Sequence, residues 1–183
     1  MTIKEFYKIQ LYVTAAATVA IWLLLIWEYT HGGVLSHHVL QREDLPAFSN
    51  WWGGLLIPLL TWFLLQRIQK RISIDSENIR VSKTIIYTFI AALTFGILLS
   101  LFFTWGYIEI PFYMVISLFL LAFFFPIYRA ECFLGFVLGM TFTFGGVLPL
   151  LIISIFSVIG TLLFHLIRPA ILFVITTIKN LVS

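Results

Sequence analysis

The chain has 183 residues, of which 61% are hydrophobic and only 10% are charged. Soluble domains carry about 25% charged residues, so this chain has more apolar surface than one water-exposed fold could bury. The composition excludes an ordinary soluble protein and predicts an all-α integral membrane protein. The formal charge of +3 is explained by basic residues that anchor helices at a bilayer, and we predict no nucleic-acid partner.

Cysteine content and the N-terminus exclude two further features. Cys132 is the only cysteine, so an intrachain disulfide and a CxxC motif are both absent. Lys4 and Lys8 precede an apolar run in the manner of a secretory signal. The sequence WEYTHGG that follows the run offers no small-residue cleavage site. We therefore predict that the run is retained as a first membrane span.

Six apolar runs approach the roughly 20 residues that a helix needs to cross a bilayer. They lie near residues 10–28, 50–66, 84–105, 109–127, 131–146 and 148–167. The last two runs are separated only by Gly145-Gly146, followed closely by Pro149. A break near Gly160 instead would place Arg168 in mid-bilayer, at a cost of about 2.5–3.5 kcal/mol. We therefore predict one six-span bundle over residues 1–168, with its last break at the glycine pair.

The C-terminal segment, residues 169–183, is too short to form a seventh span. Thr176, Lys179 and Asn180 fall near one face of a helix drawn through it. Such a segment is typical of an amphipathic helix that lies on the membrane surface, here the inner one.

The basic residues predict the orientation of the spans. With a cytoplasmic N-terminus and six spans, ten of the eleven Lys and Arg residues lie on the inner side and only Arg42 lies outside. Because positively charged short loops stay in the cytoplasm, both termini are predicted to be cytoplasmic. We predict a multi-pass protein of a bacterial-type inner membrane. The ten inner cations are Lys4, Lys8, Arg67, Lys70, Arg71, Arg80, Lys83, Arg129, Arg168 and Lys179.

The same partition gives the two membrane faces opposite formal charges, −3 outside and +6 inside. An outer mouth of that charge attracts cations. The inner surface should hold anionic lipid headgroups, because each basic residue near the surface contributes about 1 kcal/mol. The outer carboxylates are Glu28, Glu43, Asp44 and Glu109.

The segment from Thr30 to Gly54 holds three of the four histidines. Glu28 and His31 have the spacing of the Glu-x-x-His pairs found in carboxylate metal sites. His37 and His38 are adjacent, so only one of them would readily share an ion with His31. Two imidazoles and one carboxylate would form a three-ligand zinc site with an open position for water. The predicted metal ligands are Glu28, His31, His37, His38 and Asp44, with Glu43 as an alternative carboxylate.

Two other interpretations of this loop stay open. In one, the loop folds back to the headgroups and its polar groups satisfy one another, with Ser49 or Asn50 capping the second helix. In the other, the histidines form a pH-responsive cluster, because imidazole titrates near pH 6.5. If the outer mouth binds a ligand, the predicted contact residues are His31, His37, His38, Asn50 and Glu109.

Glycines and a few polar residues predict how the spans pack. Gly53-Gly54 and the GxxxG pair Gly135 and Gly139 predict close approach of neighbouring helices. At the inner ends, Arg129 and Glu131 are predicted to pair or to reach the interface, and His165 to meet the interface or a backbone carbonyl.

Three classes of function are compatible with these features. The spans carry almost no ionisable groups, which argues against a proton pump. The first hypothesis is a ligand-binding or transport-type protein that admits a cation or an amphipathic small molecule from outside. The second is a metal-dependent membrane hydrolase with its site in residues 28–54. The third is a non-catalytic subunit of a larger complex or a homo-oligomer, which fits the glycine-rich faces.

Overall fold

The computed structural model describes residues 2–34, 36–38, 47–72, 74–75, 78–79, 81–107, 109–171, 173 and 176–177, and it describes only the backbone of 37–38, 47, 74–75 and 78–79. The helices within these ranges are α1 (Ile3–Thr30), α2 (Trp51–Arg71), α3 (Lys83–Thr104), α4 (Glu109–Phe124), α5 (Ala130–Phe144) and α6 (Val147–Leu162). Leu163–Ile167 continue α6 as a π-helix, and the helix runs on to Ile171. Two antiparallel hairpins complete the fold, β1 (Ser36–His38) with β2 (Ala47–Ser49) and β3 (Ile74–Asp75) with β4 (Asn78–Ile79).

Three helical segments are long and apolar enough to cross a membrane, namely Ile3–Thr30, Lys83–Thr104 and Val147–Ile171. Helices α4 and α5 are apolar but have only 16 and 15 residues. Large hydrophobic side chains such as Leu120 and Phe142 are 67% and 76% exposed. Such surfaces are unfavourable in water and favourable in lipid. The chain therefore forms a mostly helical bundle with membrane character, as the composition predicts.

Local sequence signals set several helix ends. At the start of α1, the Glu5 N–H donates to Thr2 Oγ1 at 3.2 Å and the Thr2 N–H donates to Glu5 Oε2 at 2.8 Å, which forms a capping box. Helix α5 ends at Phe144 and α6 begins at Val147. Gly145 between them has a φ of +68°, a conformation that favours glycine. The chain thus breaks at the glycine pair where the sequence predicts it.

The start of α2 differs from the prediction in one respect. Asn50 occupies the N-cap position, but its side chain makes no capping hydrogen bond. The Trp51 N–H donates instead to Ser49 Oγ at 3.4 Å. Of the two predicted caps, Ser49 accepts this hydrogen bond and Asn50 does not, because the Asn50 amide is directed to a partner on α1.

The core lies around α5, which contacts α1, α2, α3 and α6. Leu134, Val137 and Met140 of α5 are each 1% exposed or less. The neighbouring helices surround α5 on several sides, so α5 holds the bundle together although it is the shortest of the α-helices.

Helix directions can be followed from cross-helix contacts. The Tyr7 ring contacts Trp62, and Trp22 contacts Trp51, so α1 and α2 are antiparallel. Phe119 contacts Phe156, and three residues later in α4 the Ala122 side chain lies near Gly160, so α4 and α6 are parallel.

Helices α3 and α5 are also parallel and pack closely along the predicted GxxxG face. A Cβ added at Gly135 would lie 2.5 Å from the Phe89 carbonyl oxygen, and one added at Gly139 would lie 2.5 Å from that of Leu93. Only hydrogen fits at these two positions, because the opposing atoms belong to the backbone. Gly96 of α3 completes the contact, since its added Cβ would lie 2.8 Å from the Phe136 carbonyl oxygen.

The two Gly-Gly pairs meet each other. A Cβ added at Gly146 would lie 2.7 Å from Gly53 Cα, so the turn between α5 and α6 packs on the first turn of α2. Glycine on both sides permits this contact between backbones.

At the C-terminal end, no turn separates α6 from the first residues of the predicted surface helix. The helix runs through Arg168 and Pro169 to Ile171. Most of residues 172–183 lie outside the described ranges, so the amphipathic surface helix stays a prediction.

Candidate functional site

Two of the predicted site residues, Glu28 and Asn50, lie together inside the bundle. Glu28 is in the last turn of α1 and is 5% exposed, and Asn50 precedes α2 and is 3% exposed. Asn50 Nδ2 donates to Glu28 Oε1 at 2.9 Å and lies 3.3 Å from Oε2. The Gly33 N–H donates to the Glu28 carbonyl oxygen at 3.0 Å, which ends α1 directly beside this pair. The carboxylate predicted as a metal ligand is therefore joined to the amide predicted as a ligand contact.

Gly145 completes this polar junction, and the sequence alone does not indicate its role. A Cβ on Gly145 would overlap Asn50 Oδ1, so no other residue fits while Asn50 holds its position. The junction thus connects α1, α2 and the turn between α5 and α6. A Gly-Gly pair at a helix break signals a turn, but it does not reveal which side chain fills the space that the absent Cβ leaves.

His31 lies outside this junction. It is the C-cap residue of α1 and is exposed. Its ring stacks on Trp27 with a centroid distance of 4.8 Å. His31 Nδ1 lies 2.9 Å from the Trp27 carbonyl oxygen and 3.0 Å from Thr30 Oγ1. The Glu-x-x-His spacing therefore places Glu28 in the interior and His31 at the surface, because the helix ends between them.

The other histidines of the loop are described by their backbone alone. His37 pairs with Phe48 and His38 with Ala47 in the antiparallel hairpin of β1 and β2. Asp44 lies outside the described residues. Among the residues that are described, no group of three His, Cys, Asp or Glu lies close enough to hold a metal ion. The zinc site and the pH-responsive cluster both stay predictions.

Glu109, the remaining predicted ligand contact, begins α4 and is exposed. Within the described ranges its carboxylate forms neither a hydrogen bond nor an ion pair. The structure does not bring Glu109 to the Glu28–Asn50 junction.

A buried ion pair at the opposite end of the bundle was not predicted. Glu131, in the first turn of α5, is 0% exposed, and Arg71 at the end of α2 lies with its guanidinium nitrogen 2.6 Å from both carboxylate oxygens. The sequence predicted that Arg129 and Glu131 pair with each other or reach the interface, and Glu131 pairs instead with Arg71. A signal was available, since a carboxylate at the start of an apolar helix requires a partner when it is buried.

His165 also has a specific partner, and it is not a backbone carbonyl. His165 Nε2 lies 2.9 Å from the Oη of Tyr128, which belongs to the loop between α4 and α5. His165 belongs to the π-helical segment that follows α6. The Arg168 guanidinium lies over the Phe164 ring at 4.6 Å in the same segment.

A cavity of about 410 Å³ lies among α3, α4, α5 and α6, in the half of the bundle away from the Glu28–Asn50 junction. The polar groups of its lining residues are the Tyr87 hydroxyl, the Thr88 hydroxyl and the Cys132 thiol. The Thr88 hydroxyl donates within its own helix to the Thr84 carbonyl oxygen. The other lining residues are Ala91, Ala92, Phe95, Leu118, Leu121, Phe125, Ile127, Phe136 and Ile153. Nothing in the sequence indicates this cavity, because its walls have the composition of any membrane helix.

No protein-family model, no curated protein and no solved structure matches this chain.

Proposed function

We propose that this chain is a six-span inner-membrane protein with cytoplasmic termini, and that it binds an apolar or amphipathic small molecule between its helices. It belongs in this proposal to the ligand-binding or transport-type class. The cavity among α3, α4, α5 and α6 is the observation that carries the proposal.

The six-span arrangement is supported by helix directions and by charge. Helices α1 and α2 are antiparallel, and the pairs α3–α5 and α4–α6 are parallel, as six successive crossings require. Helix α2 has 21 residues, which at about 1.5 Å per residue matches a hydrocarbon core of about 30 Å. The shorter α4 and α5 fit a bilayer that thins locally around them. The ten-to-one partition of Lys and Arg supports cytoplasmic termini.

Orientation can be tested by labelling single cysteines in a Cys132→Ser background. We expect Ser36→Cys, in the outer loop, to react with a membrane-impermeant maleimide in intact cells, because its position is predicted to face outward. We expect Ser76→Cys, in the loop after α2, to react only after the cells are permeabilised. The reverse pattern would contradict the orientation, and equal labelling at both positions in intact cells would contradict the number of spans between them.

Binding in the cavity follows from its size and its lining. Small-molecule sites commonly have volumes of about 300–1,000 Å³ and mostly apolar walls with a few polar groups, and this cavity falls within that range. An apolar occupant loses no hydrogen bonds against such walls, whereas a charged or strongly polar occupant would be desolvated without compensation. The cavity therefore favours an alkyl chain or an aromatic ring over an ion.

Filling the cavity should reduce binding of an apolar probe. In Thr88→Phe the ring occupies cavity space, and the lost hydroxyl bond costs little because it is internal to α3. A long-chain alcohol carrying a diazirine is the probe, and cross-linking to cavity residues is measured by mass spectrometry. We expect the yield to fall about tenfold, since overpacking costs about 1–3 kcal/mol.

Thr94→Phe is the matched control, because Thr94 lies on the same helix, is exposed and does not line the cavity. We expect its labelling to equal that of the parent. Labelling of cavity residues that is unchanged in Thr88→Phe, or absent from the parent protein, would contradict binding at this place.

A further inference from the structure

Two basic residues, Lys83 and Arg129, lie close in the chain to residues that line the inner end of the cavity. Lys83 begins α3, one helical turn before the lining residue Tyr87. Arg129 lies in the chain between the lining residues Ile127 and Cys132, at the corner where α4 leads into α5. The start of α3 and the corner between α4 and α5 thus each contribute one cation.

Arg129 differs from the other described arginines of the inner side, and Lys83, like Lys4, Lys8 and Lys70, has no described partner. Arg71 is paired with Glu131, and the guanidinium groups of Arg67 and Arg168 lie over the rings of Phe63 and Phe164. Within the part of the chain that the structure describes, the charged groups of Lys83 and Arg129 form no hydrogen bond, ion pair or ring contact.

The carboxylate closest in sequence to Arg129 is already paired with another residue. Glu131 follows Arg129 by two residues, but both of its oxygens are taken by Arg71 on α2. Within the described residues, two cations without an ion-pair partner thus lie next in the chain to residues that line an apolar cavity, an arrangement that is complementary to a molecule with an anionic head and a hydrocarbon tail.

The cavity also reaches the side surface of the bundle. The lining residues Tyr87 of α3 and Phe125, which follows α4, are 66% and 60% exposed, and Ala91, one helical turn after Tyr87, is exposed as well. The chain near Gly106 joins the end of α3 to the start of α4. The cavity lies at the opposite end, between the start of α3 and the end of α4, which are not consecutive in the chain. This opening allows an acyl chain to enter the cavity sideways from the inner leaflet without crossing the bundle.

We infer that the occupant is an anionic membrane phospholipid, with one acyl chain in the cavity between α3 and α4 and its headgroup phosphate between Lys83 and Arg129. This inference rests on the proposed binding function and names the ligand class of the same cavity. Arg129 presents several N–H donors to phosphate oxygens, and Lys83 adds a point charge. A zwitterionic lipid with the same chains fills the cavity equally well but gains less from the two cations.

The test uses the full chain in nanodiscs that contain equal amounts of phosphatidylglycerol and phosphatidylcholine. In turn, a trace of each lipid carries a diazirine on the same acyl chain, and the labelling of cavity residues is measured by mass spectrometry. We expect phosphatidylglycerol to label the cavity about tenfold more than phosphatidylcholine, because two basic residues at the surface act on the anionic headgroup. The Lys83→Gln/Arg129→Gln variant should lose this preference.

Two further variants separate charge from folding. The Lys4→Gln/Lys8→Gln variant removes two exposed cations from the start of α1, away from the cavity, and should keep the preference. The Lys83→Arg/Arg129→Lys variant keeps both charges and should also keep it. A preference that is retained in Lys83→Gln/Arg129→Gln, or lost equally in the Lys4/Lys8 control, would overturn the inference.

The remaining outcomes distinguish this inference from the proposed function. Equal labelling by both lipids that disappears in Thr88→Phe would overturn the headgroup selectivity and leave binding in the cavity intact. Labelling by the diazirine alcohol without labelling by either lipid would overturn the lipid as occupant. Failure of all three probes to label the cavity would overturn the proposed function and this inference with it.

Discussion

Replacing Gly139 by leucine is expected to disperse the fold, because the contact between α3 and α5 has no space for a side chain. A Cβ at this position would already lie 2.5 Å from the Leu93 carbonyl oxygen and 3.0 Å from the Ile97 amide nitrogen. Both atoms belong to the backbone, so relief requires the whole of α3 to move away. We expect the leucine variant to aggregate or to elute as a broad species when it is extracted in mild detergent.

The smaller change Gly139→Ala permits a quantitative comparison. We expect it to lower the free energy of unfolding by about 1–3 kcal/mol, the typical cost of overpacking. Gly160→Ala is the matched control, since the nearest atom to its added Cβ is a side-chain atom, Ile127 Cγ1, at 3.1 Å, rather than a backbone atom. Alanine favours a helix over glycine by about 1 kcal/mol, so Gly160→Ala should be neutral or stabilising. Equal stability of the two alanine variants in detergent unfolding would contradict backbone contact at Gly139.

The features that were predicted from sequence are those set by composition and by local signals. An apolar chain with few charges must place its helices in lipid, whatever their arrangement. Gly145 and Gly146 interrupt an otherwise continuous apolar run, so the break between α5 and α6 is encoded within a few residues. The GxxxG pair is likewise a property of one helix face. The sequence indicates that Gly135 and Gly139 meet a neighbour, although it does not identify α3 as that neighbour.

The features that were missed depend on contacts between residues far apart in the chain. Glu28 meets Asn50 across 22 positions, and Arg71 meets Glu131 across 60. A sequence shows only the neighbours of Glu131 along the chain, which is why Arg129 was chosen as its partner. His31 was grouped with Glu28 by spacing, but α1 ends at Thr30 and the two side chains have different environments.

The cavity could not be predicted for a different physical reason. It is a space between helices, and its volume depends on how α3 and α4 separate at one end. The sequence pattern around Ala91 and Leu121 would be the same if these residues faced lipid or a neighbouring helix. The two cations near it, Lys83 and Arg129, were predicted to anchor the bundle at the inner surface. That neither has a described partner depends on contacts between distant residues, such as the pairing of Glu131 with Arg71 rather than with Arg129.

The second large effect is expected at the Arg71–Glu131 pair, and it should be unequal for the two partners. Glu131 is 0% exposed, whereas the Arg71 side chain is 38% exposed. Removing Arg71 leaves a carboxylate with no access to water, and breaking a buried pair in this way costs about 3–5 kcal/mol. Removing the charge of Glu131 leaves a guanidinium that can still reach water or lipid phosphate. We therefore expect Arg71→Met to destabilise the bundle more than Glu131→Gln does.

The double variant Arg71→Met/Glu131→Gln tests whether the loss comes from an unpaired charge. With the buried charge removed, we expect it to be more stable than Arg71→Met alone, so the two changes are not additive. Unfolding of all four proteins in mixed detergent micelles at constant pH gives the coupling free energy. Arg67→Met is the control for loss of a basic residue in α2, because Arg67 lies over the Phe63 ring rather than beside a carboxylate. If Arg71→Met and Arg67→Met destabilise the protein equally, and if the double variant is no more stable than Arg71→Met, the ion pair does not hold α2 against α5. If Arg71→Met alone is severely unstable and Glu131→Gln restores the fold, the buried carboxylate is the reason that Arg71 is required at the end of α2.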